Sequence, residues 1–146
     1  MAKELYTEIE IDAPAAKVWD ILANFDQYGD WNPFIKSISG DMSEGSQLRV
    51  TIQPVGGKPM HFRPTAIRIQ IHQEFRWLGH LFVPGLFDGE HYFQIEEVSE
   101  NTVRFVQGEQ FRGILVPLLW GSMESGTTAG FKAMNAALKQ KAEMRS

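Results

Sequence analysis

The chain contains no cysteine, which excludes disulfide staples, thiolate nucleophiles and cysteine-ligated zinc. It has no apolar run near the ~20 residues that cross a bilayer; the longest, residues 114–120, is far shorter. The opening Met1-Ala2-Lys3-Glu4 lacks the apolar core of a secretory signal. Absent cysteine also fits a reducing compartment, so a cytoplasmic protein is expected. Positive charge is in deficit. Fourteen Lys and Arg against 18 Asp and Glu give a net charge of −4, which argues against the basic face of a nucleic-acid binder. There is no Gly-rich phosphate loop and no serine nucleophile elbow. His61, His72 and His80 are scattered and fit no metal spacing, so neither a metal nor a cofactor is implied.

Aromatic residues, by contrast, are abundant: ten Phe and four Trp help bring them to 12% of the 146 residues. A chain of this length is one domain able to bury about two-thirds of its unfolded surface. Aromatic side chains at that density serve either a core or a ligand cavity.

Hydrophobic periodicity gives the elements. Alternation predicts strands over residues 6–11, 35–39, 47–53, 61–71, 74–81, 90–97 and 102–111, joined by short polar turns as in an antiparallel sheet. Asp12-Ala13-Pro14 starts a helix, and Val18, Ile21, Leu22 and Phe25 at helical spacing place it over 15–23. Pro33 disfavours the α region at Asn32, so any second helix ends near Trp31. Leu48, Val50 and Ile52 share one strand face. Thr65, Ile67, Ile69 and Ile71 share another, and Phe75, Trp77, Gly79 and Leu81 a third. From Val116 the period changes: Trp120, Met123, Thr127, Phe131, Met134 and Leu138 recur at steps of three and four, predicting a helix of roughly 25 residues. Gly121, Gly126 and Gly130 lie within it. Each lowers helix propensity by up to about 1 kcal/mol relative to Ala, so close packing or a cavity wall is expected there. The fold class is α+β, a curved seven-stranded antiparallel sheet with one long C-terminal helix on its apolar face. One helix about 10 Å wide cannot fill such a concavity. Large side chains fill the rest, or a pocket remains.

The sharpest feature is a polar break in an apolar stripe. The inward faces of the last two strands read His91, Phe93, Ile95 and Val103, Phe105, Gln107, Glu109, Phe111. Buried polar groups are costly without partners, so His91, Gln107 and Glu109 must pair with one another or with a ligand. Placing the hairpin turn at Glu100 opposes Ile95 to Phe105, Phe93 to Gln107 and His91 to Glu109. A two-residue slip would oppose His91 to Gln107 or Phe111 instead. Opposed Cβ atoms about 5 Å apart allow an imidazole–carboxylate contact, which either satisfies itself, grips a ligand or moves a proton.

The element order resembles the helix-grip fold of the START/Bet v 1-like (SRPBCC) superfamily, over essentially the whole chain. Three segments carry the resemblance: Ile9-Glu10-Ile11-Asp12-Ala13-Pro14-Ala15 through Val18-Trp19-Asp20-Ile21-Leu22; Trp31-Asn32-Pro33-Phe34; and Gly130-Phe131-Lys132-Ala133-Met134-Asn135 through Leu138-Lys139. The first two look like bacterial polyketide cyclase/dehydrase-like members. The superfamily includes lipid carriers, hormone receptors, aromatase/cyclases, ubiquinone-binding proteins and chaperone-activating domains, so the resemblance implies a fold before it implies an activity.

It also implies a cavity between sheet and helix, walled by Trp77, His91, Phe93, Phe105, Gln107, Glu109, Phe111, Met123, Thr127 and Phe131. The connection over 81–87 is unusually apolar for a β-turn. Phe82, Leu86 and Phe87 are its candidate lid or entrance, with transient membrane contact and homodimer formation as the alternative uses. Three functions fit: a binder or carrier of a small hydrophobic or amphipathic ligand (lipid, polyketide or isoprenoid-like), a cyclase or dehydratase with His91 and Glu109 as the acid–base pair, and a protein-interaction or chaperone-cofactor module without ligand.

Overall fold

In the computed structural model, which describes residues 2–144, the helical periods and strand alternations resolve into eight strands and three α-helices. β1 (Lys3–Ile11) leads into α1 (Ala15–Ala23), a single 3₁₀ turn (Phe25–Gln27) and α2 (Tyr28–Trp31). β2 (Ile35–Ser39), β3 (Arg49–Ile52), β4 (Met60–Phe62), β5 (Thr65–Gln70), β6 (Glu74–Leu81), β7 (Phe87–Ser99) and β8 (Thr102–Arg112) follow, and α3 (Val116–Glu143) closes the chain. β5 to β8 and β1 form an antiparallel sheet in the order β1-β8-β7-β6-β5; β2, β3 and β4 form a second.

The expected seven-stranded sheet is therefore corrected to eight strands in two sheets. The single strand expected over 61–71 breaks at Arg63-Pro64, because proline has no amide hydrogen for a ladder. Met60–Phe62 pairs with β3, whereas Thr65–Gln70 pairs with β6. Main-chain bonds still join the sheets at this corner, from Leu48 N to Pro64 O (2.8 Å) and from Ala66 N to Ser46 O (2.9 Å). A register shift between Ala66 and Arg68 also corrects the inward face expected for β5. The bulge turns Ala66 into the core and leaves Ile67 exposed.

α1 buries Ala15, Val18, Trp19 and Leu22, the i, i+3, i+4, i+7 stripe of an amphipathic helix. After it, Tyr28 is fully buried and donates its hydroxyl to Leu22 O at 2.5 Å; burial pushes its phenol well above the ordinary tyrosine range. Asn32 acts locally, its Oδ1 accepting from Phe34 N (2.9 Å) and Ile35 N (2.8 Å), which turns the chain into β2.

α3 decides where the cavity lies. From Thr127 onward it buries Phe131, Met134, Asn135, Leu138 and Ala142 and packs on β1, β8 and α1. Gly130 permits this approach, since a Cβ there would collide with the Phe34 ring. Farther toward its N-terminus, Leu119, Trp120, Met123 and Gly126 are only half-buried. The C-terminal half of the helix thus closes the core, while the N-terminal half, anchored by buried Val116 and by Trp120 against Phe111 (ring centres 5.4 Å apart), roofs open space.

Candidate functional site

The space beneath the N-terminal half of α3 is a cavity of about 480 Å³. One wall is the inward face of β6, β7 and β8: Trp77, Gly79, Leu81, Phe87, Gly89, His91, Glu109 and Phe111. A second is the small sheet, through Val50, Ile52, Met60 and Phe62, with Phe34 and Pro64 beside it. α3 contributes Leu119, Ser122, Met123, Ser125, Gly126 and Thr127, and the 54–58 turn forms the rim. Val55 N donates to Gly126 O at 3.3 Å, clasping that rim to the helix.

Six of the ten expected wall residues line this space: Trp77, His91, Glu109, Phe111, Met123 and Thr127. Phe93, Phe105, Gln107 and Phe131 do not; all four are buried in the core behind it. The lid expectation divides. Phe87 is a buried wall residue packed against Phe111, ring centres 5.7 Å apart. Leu86 is half-buried, with its carbonyl accepting from Leu115 N at 2.9 Å. Phe82 is 63% exposed and outside the wall. It shares the outer surface with exposed Val83, Ile114 and Leu118, because Ile114 N and Leu115 N bond back to Gly85 O and Leu86 O.

The polar break becomes a continuous relay whose direction its partners dictate. In the sheet His91 opposes Glu109 and Phe93 opposes Gln107. Thr7, opposite Gln107 on β1, donates its hydroxyl to the main-chain oxygen of Gln107 at 2.7 Å. A carbonyl only accepts, so that proton is spent, and Thr7 Oγ1 accepts from Asn135 Nδ2 at 2.8 Å. Asn135 then presents Oδ1 to Gln107 Nε2, also at 2.8 Å. Gln107 Oε1 is left facing His91 Nε2 at 2.9 Å, so Nε2 carries a hydrogen. Nδ1 of the same ring lies 3.2 Å from Glu109 Oε1. The imidazole is 4% exposed, stacked on Trp77 with ring centres 4.9 Å apart, and bounded by Phe93 and Phe131. One main-chain carbonyl thus sets the polarity of four side chains and fixes the histidine tautomer.

Outside the cavity, His80 Nδ1 meets Asp88 Oδ1 at 2.7 Å on the outward face. A smaller cleft of about 220 Å³ is lined by Lys17, Asp20, Ile21, Asn24, Gln27, Trp31 and Lys141; its polar rim separates it in character from the main chamber.

Sequence reasoning missed the contribution of the small sheet. The alternation of Val50 and Ile52 was a usable signal, and so was the register that sets Met60 against Ile52. The Thr7–Asn135 bond, 128 residues apart in sequence, left no local signal.

A helix gripped by an antiparallel sheet around an internal, mostly apolar chamber defines the class as a helix-grip protein with a ligand-sized cavity. The chain belongs to the family of polyketide cyclases/dehydrases and lipid-transport proteins, whose sequence model matches residues 2–143. Among solved structures it resembles the Zhui aromatase/cyclase from Streptomyces sp. R1128, with TM-score 0.76, 14% identity, and coverage of 98% of this chain and 94% of that one. It resembles norcoclaurine synthase from Thalictrum flavum with TM-score 0.74 and 14% identity, covering 100% of this chain and 90% of that one. It also matches the di-domain aromatase/cyclase BexL of the BE-7585A biosynthetic pathway, with TM-score 0.74 and 16% identity over 99% of this chain; there it spans about half, 51%, of the other protein. At these identities the likeness shows the fold.

Proposed function

We propose that this protein binds a small hydrophobic or amphipathic molecule, of lipid, polyketide or isoprenoid type, in the cavity between its sheets and α3, and carries or presents it. The observation that supports this most is the chamber itself. Its volume of about 480 Å³ falls within the ~300–1,000 Å³ of small-molecule sites. Its wall is apolar apart from a few grouped polar side chains, the usual division between affinity and orientation. Norcoclaurine synthase, similar in fold, is known in complex with dopamine and hydroxybenzaldehyde, small molecules of the size such a chamber admits.

A cyclase- or dehydratase-type reaction is the second reading, and the His91–Glu109 pair is the observation in its favour. The carrier reading accounts for the geometry better. Both ring nitrogens of His91 are bonded within the protein, so the imidazole has no free nitrogen to offer a substrate. Any proton transfer would have to pass through the Glu109 carboxyl group.

Native mass spectrometry of freshly purified protein tests the carrier reading. The expected result is one small-molecule adduct per chain, released on denaturation. A bare chain that also takes up nothing from a total lipid extract would contradict it.

A further inference from the structure

With both nitrogens of His91 taken, the pair meets the cavity through the second oxygen of Glu109. Gly89 makes room for it: a Cβ at that position would collide with Glu109 Oε2. The carboxyl group therefore lies over β7, in the wall that Gly89 and Glu109 share. A glycine inside a strand is otherwise a weakness, and it marks close approach of another group.

The contact between Nδ1 and Oε1 at 3.2 Å needs one hydrogen between two atoms that each carry a lone pair. Two arrangements supply it, since Nε2 already holds its own. Either the ring is imidazolium and donates to a carboxylate, or the ring is neutral and accepts from a carboxylic acid whose hydroxyl is Oε1. In the first, Oε2 is a carboxylate oxygen; in the second it is the carbonyl oxygen of the acid. Both are acceptors, and neither leaves the pair a proton to give. In both, the pair as a whole carries no net charge. A cationic ligand group would therefore lose hydration without a counter-charge at this point.

We propose that the buried end of the ligand carries a neutral hydrogen-bond donor, a phenol- or alcohol-type hydroxyl, given to Glu109 Oε2, and that ligands ending there in a carboxylate or an ether oxygen are disfavoured. This deepens the carrier reading and rests on it. The ligand's apolar body then lies against Val50, Ile52, Phe62, Leu119 and Met123, and its hydroxyl end against β7 and β8.

Three probes with one bicyclic body test the inference: 2-naphthol, 2-methoxynaphthalene and 2-naphthoic acid, titrated into the wild-type protein, Glu109→Leu and Gly89→Ala. The wild type is expected to bind 2-naphthol about tenfold or more tighter than either analogue, as a hydrogen bond to an ionisable group provides. The preference collapses in Glu109→Leu. It narrows in Gly89→Ala, where the new methyl group displaces the carboxyl group while a flexible side-chain end absorbs the collision, so folding is preserved. Equal affinities in the wild type, or a preference that survives Glu109→Leu, would overturn the inference and leave the cavity reading standing. Failure of all three probes to bind would overturn both.

Discussion

Gln107→Leu is expected to lower the unfolding free energy by about 3 kcal/mol, although leucine is no smaller than glutamine and opens no cavity. Gln107 has no solvent exposure. It holds both His91 Nε2 and Asn135 Oδ1. Leucine satisfies neither, and each buried polar atom left without a partner costs about 1–3 kcal/mol. Urea unfolding measures the loss. Nitrogen-15 spectra of the His91 ring give a second readout. In the wild type Nε2 carries a hydrogen that is held by Gln107 Oε1 and exchanges slowly; in the variant that signal is lost because Nε2 has lost its acceptor. A loss below about 1 kcal/mol with an unchanged ring signal would mean that the relay does not hold His91.

Met123→Trp is expected to weaken ligand binding about 100-fold while sparing the fold. Met123 is half-buried on the N-terminal half of α3 and lines the cavity. An indole there extends into open space instead of packed core, so the overpacking cost of about 1–3 kcal/mol seen in filled interiors does not arise. Apolar burial is worth about 25 cal/mol per Å², and the same area cannot be covered by both the indole and a ligand. Displacement of about one side chain's worth of apolar contact, about 2–3 kcal/mol, corresponds to a loss of affinity of about 100-fold. Titration with 2-naphthol measures it, and an unchanged thermal midpoint shows that the chain remains folded.

Local patterns and non-local packing explain what was readable in this chain. The Pro14 start and the apolar stripe of α1 recover its bounds, Ala15–Ala23, because helix signals are local. The pairing of His91 with Glu109 follows from two constraints, odd residues inward and a turn at Glu100, and the register agrees. The split at Pro64 was visible as a proline within a strand pattern, but its consequence was not. Only contact with β3 on one side and β6 on the other shows that the chain changes sheets. The cavity wall was half legible for a related reason. Alternation tells which face of a strand is inward, not which stretch of that face the helix covers. Phe93, Phe105, Gln107 and Phe131 point inward as expected, yet they are buried in the core behind the cavity. Gly126 and Gly130 serve both uses expected of the helix glycines, the first against the rim at Val55 and the second under the Phe34 ring; a Cβ on Gly121 meets nothing.

The central claim is that one chamber beneath α3 takes the ligand. Heteronuclear NMR of the protein, with the Met methyl groups and Trp indoles labelled, titrated with 2-naphthol, tests it most directly. The account predicts saturable shifts at Met60, Met123 and Trp77, which line the chamber, and none at Trp31 in the smaller cleft. Shifts confined to Trp31, or no saturable shift at Met123 and Trp77, would contradict it.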